Sequence, residues 1–390
     1  MDALGPARLA ARQRELDLLG TRRFRGLYEV KRDKLAASPH AFLRGSAPLF
    51  FELLARRPDL ARGPGGEGWI VGDMHLENVG AYRTDDDRVA FDVNDFDDAV
   101  QGPFRLDVLR LATSVLLAGR TFGTQGPEAI ALARTLVTSW RRSIGGEKEQ
   151  RRPKTIATLV ERASGRQRED LLDARAPKKN GRRRFVRGLR YRSLPAEVSR
   201  HVPALLELFR DALGDAAPPD ASEWTVIDSA LRIAGTGSLG RMRLAVLVVN
   251  ESGRARMLEF KEASAASGAV LLGERAQSDP ARRVVEAAHA LVAHPHRFLA
   301  AIPESPLRLP FVGRQLWPQE DKLDLAALEP GVELTRVVSA IGHTLGRAHQ
   351  RSVTKVVRWS ESEAEGVLLQ AVELAGIFEA IYLAWCARYA

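Results

Sequence analysis

The chain has 390 residues, of which 45% are apolar and 27% charged, a composition that allows a folded protein with two or more lobes. Its single cysteine, Cys386, excludes a disulfide framework within the chain and a cysteine-rich zinc site. The net charge is +9, and much of the excess lies in residues 151–192, which we consider a candidate surface for an anionic partner.

The sequence predicts no membrane association. Residues 1–20 lack the continuous apolar core of a secretory signal. No apolar run approaches the roughly 20 residues that span a bilayer. We therefore expect a cytoplasmic protein.

In chain order, the first part of the sequence predicts helices around two short strands. Residues 1–60 carry apolar stripes typical of helices. The runs 68–71 and 89–93 predict strands, with an acidic turn between them. Broad apolar faces predict helices over 104–118 and from Pro127 onward.

The middle of the chain changes character twice. Residues 145–194 are polar and basic, so we predict a mobile insertion or an irregular surface segment, and we expect deletion of 176–188 to leave the fold stable. A proline pair predicts a linker at 217–221. Three runs rich in β-branched residues then predict strands: 224–233, 242–249 and 256–261.

The C-terminal part returns to helix. The elements predicted there are a helix, an extended run and two further helices: 279–291, 309–317, 334–349 and 367–385. The whole pattern predicts an α+β protein. We assign residues 1–215 to a helical lobe, 216–325 to a β-rich lobe, and 326–390 to helices that return to the first lobe.

The chemistry-bearing side chains are densest in residues 72–99. Asp73 precedes Asn78 by five residues in G-D-x-H-x-x-N, and Asp95 follows seventeen residues later in NDFDDA. A magnesium-dependent phosphotransferase needs a base, an amide ligand and a carboxylate ligand in this order. His75 belongs to the same catalytic loop, where we expect it to brace the loop by hydrogen bonds.

Neighbouring carboxylates leave part of this assignment open. Asp97 is retained as a further metal ligand, because clustered aspartates repel one another unless a cation or arginines neutralise them. Asp107 opens the next helix and is either a partner of the helix dipole or a brace for the Asp73 loop. A polar turn between two strands is the alternative interpretation of the loop taken alone.

A glycine motif lies far downstream. GTGSLG provides Gly235, Gly237, Ser238 and Gly240 as candidate nucleotide-binding residues. The motif stands between two predicted strands and not between a strand and a helix. This favours a hairpin folded over phosphates rather than a dinucleotide-binding turn.

Lys261, on the third predicted strand of that region, is the candidate phosphate-binding and catalytic lysine. Its apolar neighbours indicate partial burial, so it needs a counter-charge. Glu286 on the next helix is the first candidate and Glu274 the second. The alternative is an ordinary lysine on an edge strand.

These motifs resemble the protein-kinase-like superfamily, in its aminoglycoside-phosphotransferase branch. More closely, the chain resembles the bacterial family named domain of unknown function 2252. The stretches that carry the resemblance are SPHAFLRGSA, GDMHLENVG, FDVNDFDDAVQGPFRLDVLRLATS, GTGSLG, LEFKEA, GRQLW and LGRAH.

The resemblance implies a two-lobed kinase-like fold that binds ATP and Mg²⁺. By that resemblance Asp73 would be the base, and Asn78 and Asp95 would be metal ligands. The glycines would cover the phosphates, and Lys261 would contact them. In an ordinary kinase the glycine loop and lysine come first. The reversed order suggests a circular permutation, which predicts that 334–349 packs with 68–118.

We therefore predict an ATP–Mg²⁺-dependent phosphotransferase that acts on a hydroxyl-bearing acceptor of open identity. One alternative is nucleotidyl transfer in the same site, and another is a nucleotide-binding pseudoenzyme. A third is a nucleic-acid-binding protein that uses 151–192, although this segment offers few aromatic side chains for base stacking.

Overall fold

Helices and antiparallel strands make up the computed structural model, which describes residues 5–24, 26–148, 151–273 and 279–390. The helices are α1 (Pro6–Thr21), α2 (Leu27–Ala36), α3 (Pro39–Arg44), α4 (Ala47–Arg56), α5 (Pro58–Ala61), α6 (Arg105–Leu117), α7 (Gly119–Phe122), α8 (Gly126–Ile144), α9 (Lys154–Ser164), α10 (Arg168–Arg175), α11 (Ala196–Ser199), α12 (Val202–Leu213), α13 (Ala269–Leu272), α14 (Pro280–Leu291), α15 (Val332–Arg351) and α16 (Glu361–Tyr389). The strands are β1 (Glu67–Ile70), β2 (Val79–Arg83), β3 (Val89–Val93), β4 (Val100–Pro103), β5 (Lys178–Lys179), β6 (Arg182–Arg183), β7 (Tyr191–Arg192), β8 (Thr225–Arg232), β9 (Arg243–Val249), β10 (Ala255–Glu262), β11 (Leu299–Ile302), β12 (Phe311–Gln315) and β13 (Asp321–Lys322).

The largest sheet has six antiparallel strands in the order β11-β12-β10-β9-β8-β7. A smaller sheet, β13-β2-β3, and the pair β1-β4 lie among the helices. The α+β prediction is confirmed, with antiparallel sheets. β2 was not predicted, because Gly80 and Arg83 interrupt its apolar pattern and the turn begins only after it.

Three groups of buried side chains hold these elements, and the smallest joins α10, Phe185 and β7 to β8, β9 and β10. The helical core joins α4, α6, α8, α15 and α16 with the strands β1 to β4. The sheet core lies between the six-stranded sheet and α12, where Phe209 meets Phe260 edge to face at 5.4 Å. β7 and α12 precede residue 216 in sequence and also pack with the six-stranded sheet.

The helix α15 packs where the sequence predicts, against residues 68–118. Its last turn places Nε2 of His349 3.0 Å from the Asp107 carboxylate, and the imidazole stacks on Phe104 at 4.4 Å. Gly342 allows α15 to approach α8 closely, because a Cβ there would lie 2.4 Å from the carbonyl oxygen of Leu136. α15 and residues 68–118 thus share one core, although over 200 residues separate them in sequence.

The basic segment 145–194 is ordered secondary structure in its described part, so the prediction of an irregular insertion is wrong. It forms α9, α10, the β5-β6 hairpin and the edge strand β7. Phe185 is buried and packs on Tyr191 with ring centroids 4.7 Å apart. Its backbone nitrogen donates to the Asp228 carboxylate at 2.8 Å. These two isolated aromatic residues anchor a segment that composition alone marks as polar.

Phe185→Ala is expected to lower the free energy of unfolding by about 3 kcal/mol, because it removes a buried ring and leaves a cavity. The matched control is Leu189→Ala, since Leu189 is 89% exposed in the same segment. Urea denaturation of both variants measures the difference. Equal, small losses would show that 176–188 is dispensable after all.

The expectation that no apolar segment approaches the length of a membrane span is wrong, because α16 has that length. Among the described residues it is the helix that is long and apolar enough to cross a membrane. Its side chains Phe378, Ile381 and Trp385 are fully buried in the helical core. One face of the helix therefore packs in the helical core.

Candidate functional site

A cavity of about 600 Å³ is lined by residues of the helical part and of the six-stranded sheet. The sequence-predicted residues that line it are Asp73, His75, Asn78, Asp95, Asp97, Gly235, Gly237, Ser238 and Lys261. Its volume lies within the range of pockets that hold small molecules and cofactors. The cavity thus unites two motifs that lie more than 130 residues apart in sequence.

The loop that carries Asp73 is held by the buried carboxylate of Asp107. Asp107 accepts the backbone N–H groups of Val71 and Gly72 at 2.7 and 2.9 Å. Of the two roles left open by the sequence, the brace is confirmed. Trp140 donates to Nδ1 of His349, so the proton of this imidazole is on Nε2, which donates to Asp107.

Gly72 is required at the bend before Asp73. Its φ is +79°, and a Cβ there would lie 2.0 Å from the carbonyl oxygen of Asp98. A side chain would therefore both strain the backbone and separate the Asp73 loop from the aspartate loop. The close approach explains why two acidic loops can share one cavity.

One oxygen of Asp73 is engaged and the other faces the glycine motif. Arg110, which is fully buried on α6, donates to Oδ1 through Nε at 2.9 Å and also through its terminal nitrogen. A Cβ on Gly237 would lie 3.8 Å from Oδ2. The carboxylate is thus held in one orientation by Arg110, with Oδ2 directed to the side where the glycine motif lies.

The surroundings of Asp73 raise its pKa to about 7. Burial is the main cause, and the negative charges of Asp98 and Asp95 add to it, while the guanidinium of Arg110 opposes both. A carboxyl group with a pKa near neutrality can both take up and release a proton under physiological conditions. This is the property expected of a general base.

His75 and Asn78 complete the loop. Nδ1 of His75 accepts the backbone N–H of Glu77 at 3.1 Å, so the histidine braces the loop, and burial sets the pKa of the imidazole well below its usual value. The side-chain amide of Asn78 donates to the carbonyl oxygen of Asp73 at 2.6 Å. This bond leaves the amide oxygen of Asn78 as the atom that can serve a ligand.

Lys261 lies against the aspartate loop. Its ammonium is 3.5 Å from Oδ1 of Asp95 and forms a closer ion pair with Asp97. β10 pairs with β9 and β12 on its two sides, so Lys261 is on an inner strand and the edge-strand alternative is wrong. Desolvation opposes the charge of Asp95, but Lys261, Lys322 and Arg243 lower its pKa to about 2.

The glycine motif is the connection between the paired strands β8 and β9, as the hairpin interpretation predicts. Gly235 has φ +80° and Gly240 has φ +96°, both in the left-handed region that favours glycine. Arg243 donates to Oγ of Ser238 at 3.2 Å. Gly240 does not line the cavity: a Cβ there would lie 2.3 Å from the carbonyl oxygen of Gly20. Gly240 therefore serves the contact with α1.

Comparison with known proteins places the chain in a bacterial family. The family described as "Uncharacterized protein conserved in bacteria (DUF2252)" matches residues 23–377. The chain belongs to this family. No curated protein and no solved structure matches it.

The prediction that Glu286 belongs to the site of this DUF2252 protein is wrong. Glu286 lies on the exposed face of α14 and does not line the cavity, so it is not the counter-charge of Lys261. The face of α14 that meets the aspartate loop carries Arg283, which donates to the carbonyl oxygens of Asp97 and Ala99. The second candidate, Glu274, lies outside the described residues.

The site also contains charged residues that the sequence did not single out. Beneath Lys261, the buried Glu259 is surrounded by Arg232, Arg243 and Arg314, and these cations hold the pKa of its carboxyl well below the usual value. Glu259 lies two positions before Lys261 on β10. On a strand this spacing places both side chains on one face, and that signal could have identified it.

Asp107→Asn is expected to lower the free energy of unfolding by about 2 kcal/mol or more, since an amide cannot accept all three hydrogen bonds and leaves a buried donor unpaired. In the phosphotransferase predicted from the sequence, displacement of the Asp73 loop should also reduce turnover about 100-fold. Asp59→Asn, in a half-exposed surface ion pair, is the matched control. Unchanged stability and turnover in Asp107→Asn would contradict the bracing role.

Proposed function

We propose that this DUF2252 protein is an ATP–Mg²⁺-dependent phosphotransferase that acts on a hydroxyl-bearing acceptor. One observation carries the proposal: Asp73, Asn78, Asp95 and Lys261 line one cavity together with the loop that contains Gly235 and Gly237. Phosphoryl transfer depends on positioning and on charge stabilisation, which this set of side chains is suited to provide.

The donor set fits a magnesium ion. Asp95 and Asp97 offer carboxylate oxygens, and Asn78 offers an amide oxygen, all hard ligands of the kind that Mg²⁺ prefers. The low pKa of Asp95 keeps it ionised at every physiological pH. Asp98 is less suited, because its Oδ1 already accepts the backbone N–H of Ser267 at 2.7 Å.

The cationic part of the cavity fits the phosphates of a nucleotide. Lys261 is the proposed phosphate contact, and the loop with Gly235, Gly237 and Ser238 is the proposed cover. Bound Mg²⁺–ATP would supply the phosphoryl group. Without bound Mg²⁺–ATP, the ammonium of Lys261 neutralises the carboxylates of Asp95 and Asp97, which would otherwise repel each other.

Asp73 is the proposed base. Arg110 fixes one carboxylate oxygen, so the other is presented in a constant orientation to an acceptor hydroxyl. With a pKa near 7, the carboxylate takes the hydroxyl proton and can release it again to solvent. His75 and Asp107 act by positioning the loop.

The packing also supports a two-lobed kinase-like fold in circularly permuted order. The six-stranded sheet carries the glycine loop and Lys261, and the helical core carries Asp73, Asn78 and Asp95. α15 follows the sheet in sequence and lies beside the Asp73 loop, as a helix that leads into a catalytic loop would. The use of ATP agrees with the cytoplasmic location expected from the sequence.

Product analysis tests the proposed reaction. The protein is incubated with Mg²⁺–ATP and pools of hydroxyl-bearing metabolites, and the products are identified by mass spectrometry. Addition of a phosphoryl group to an acceptor, absent with Asp73→Asn, is the expected result. Transfer of a nucleoside monophosphate would instead establish nucleotidyl transfer. Nucleotide binding without any transfer would establish the pseudoenzyme.

A further inference from the structure

Cations cluster beside the glycine motif. Lys34 on α2 donates to the carbonyl oxygen of Gly235 at 2.7 Å. Burial lowers the pKa of this ammonium, and the nearby charges of Arg44, Arg243 and Arg190 lower it further. The three arginines therefore lie close enough to Lys34 to repel its charge.

Arg190 reaches this cluster from the basic segment. The backbone N–H of Ile233 donates to the carbonyl oxygen of Arg190 at 2.8 Å, which pins this residue next to the start of the glycine motif. Arg190 lines the cavity. The segment that composition marks as a surface for an anionic partner thus contributes an arginine to the candidate site.

Two of the four cations are exposed and have no carboxylate partner among the described residues. Within the described chain, neither Lys34 nor Arg190 forms an ion pair with a carboxylate, whereas Arg44 pairs with Glu77 at 2.6 Å and Arg243 lies 3.6 Å from Glu259. Nε of Arg44 is buried and makes no hydrogen bond to the described residues. Unpaired donors and uncompensated cations in a cavity favour an anionic ligand.

Arg44 of the cluster and Asp73 both approach Gly237. A Cβ on Gly237 would lie 3.5 Å from the carbonyl oxygen of Arg44 and 3.8 Å from Oδ2 of Asp73. An acceptor whose hydroxyl meets Oδ2 would extend from this position. A cationic acceptor would be repelled there, and three or four cations match the double charge of a phosphate group.

We propose that the acceptor carries a phosphate group, held at Arg44, Arg190 and Arg243 with Lys34 beside them. This proposal rests on the proposed phosphotransferase function, because only an acceptor must meet Asp73. The anion site itself can be tested without turnover. The proposal requires the phosphate and the nucleotide to bind at the same time.

The test measures binding of inorganic phosphate by titration calorimetry to protein saturated with Mg²⁺ and a non-hydrolysable ATP analogue. Arg190→Ala is expected to weaken phosphate binding about tenfold, as loss of one charge-assisted hydrogen bond does. Affinity for the nucleotide analogue should change less than about twofold. Acetate, with a single charge, should bind more weakly than phosphate.

Arg184→Ala is the matched control, because Arg184 is exposed in the same segment and does not line the cavity. An equal loss in both variants would overturn the proposal, since the effect would then be one of net charge. Failure of phosphate to bind the protein saturated with nucleotide would also overturn the proposal. The cations would then belong to the nucleotide site. A third outcome is phosphate binding that depends on Arg190 in a protein that binds no Mg²⁺–nucleotide. It would support the proposed anion site and contradict the proposed phosphotransferase function.

Discussion

Replacement of Asp73 by Asn is expected to reduce phosphoryl transfer by about 10²- to 10⁴-fold, the usual contribution of a general base. Asn keeps the shape and an oxygen for Arg110 but cannot take a proton. Affinity for Mg²⁺–ATP should stay nearly unchanged, because a base acts in the transition state and not in nucleotide binding. Turnover, nucleotide affinity and the unfolding temperature of the variant are the required measurements. Wild-type turnover would remove Asp73 from the mechanism.

The pH dependence gives a second readout for Asp73. The base must be ionised, and its pKa is raised to about 7. The kcat/KM of the wild-type protein should therefore rise with pH up to an inflection near 7, and fall about tenfold per pH unit below it. The residual activity of Asp73→Asn should lack this inflection. An inflection near the ordinary value for aspartate would contradict the burial effect.

Replacement of Asp95 by Ala should weaken Mg²⁺-dependent nucleotide binding about 100-fold, at the upper end of what loss of a residue supporting a metal site causes. It removes a carboxylate that Lys261, Lys322 and Arg243 keep ionised. Binding is measured by titration calorimetry with and without Mg²⁺. The loss should be confined to the magnesium-dependent part of the affinity.

Three further variants test the assignment of the metal ligands. Asp97→Ala should have a smaller effect than Asp95→Ala, and Asp98→Ala a smaller effect on nucleotide binding still. Asp85→Ala, in the exposed turn after β2, removes the same charge away from the cavity and should have no effect. A larger effect at Asp97 than at Asp95 would show that the metal ligands are assigned in the wrong register.

Local sequence patterns predicted most of the elements that position the site. The apolar stripe of α15 and the β-branched runs of β8, β9 and β10 appear at nearly their predicted bounds. The G-D-x-H-x-x-N and NDFDDA motifs lie in one cavity because both follow short strands of the helical core. These elements were predictable because the periodicity of a helix or strand, and the spacing of a short motif, depend only on residues that are close together in sequence.

Residues that act through distant contacts were not predictable in this way. Arg110 stands in an apolar helix, and nothing nearby in sequence identifies Asp73 as its partner. Glu286 was assigned to the wrong face of α14, because one helical position separates an exposed side chain from a buried one. The buried ring of Phe185 packs a polar segment onto Tyr191 of the six-stranded sheet. In each case a tertiary contact decided the outcome.

Calorimetric titration of the wild-type protein with Mg²⁺–ATP tests the central claim most directly. The proposed site predicts one nucleotide per chain and binding that depends on Mg²⁺. It also predicts weaker binding in both Asp95→Ala and Lys261→Ala, whose side chains come from the aspartate loop and from the six-stranded sheet. Absence of magnesium-dependent nucleotide binding, or binding that neither substitution weakens, would contradict the assignment of this cavity as a nucleotide site.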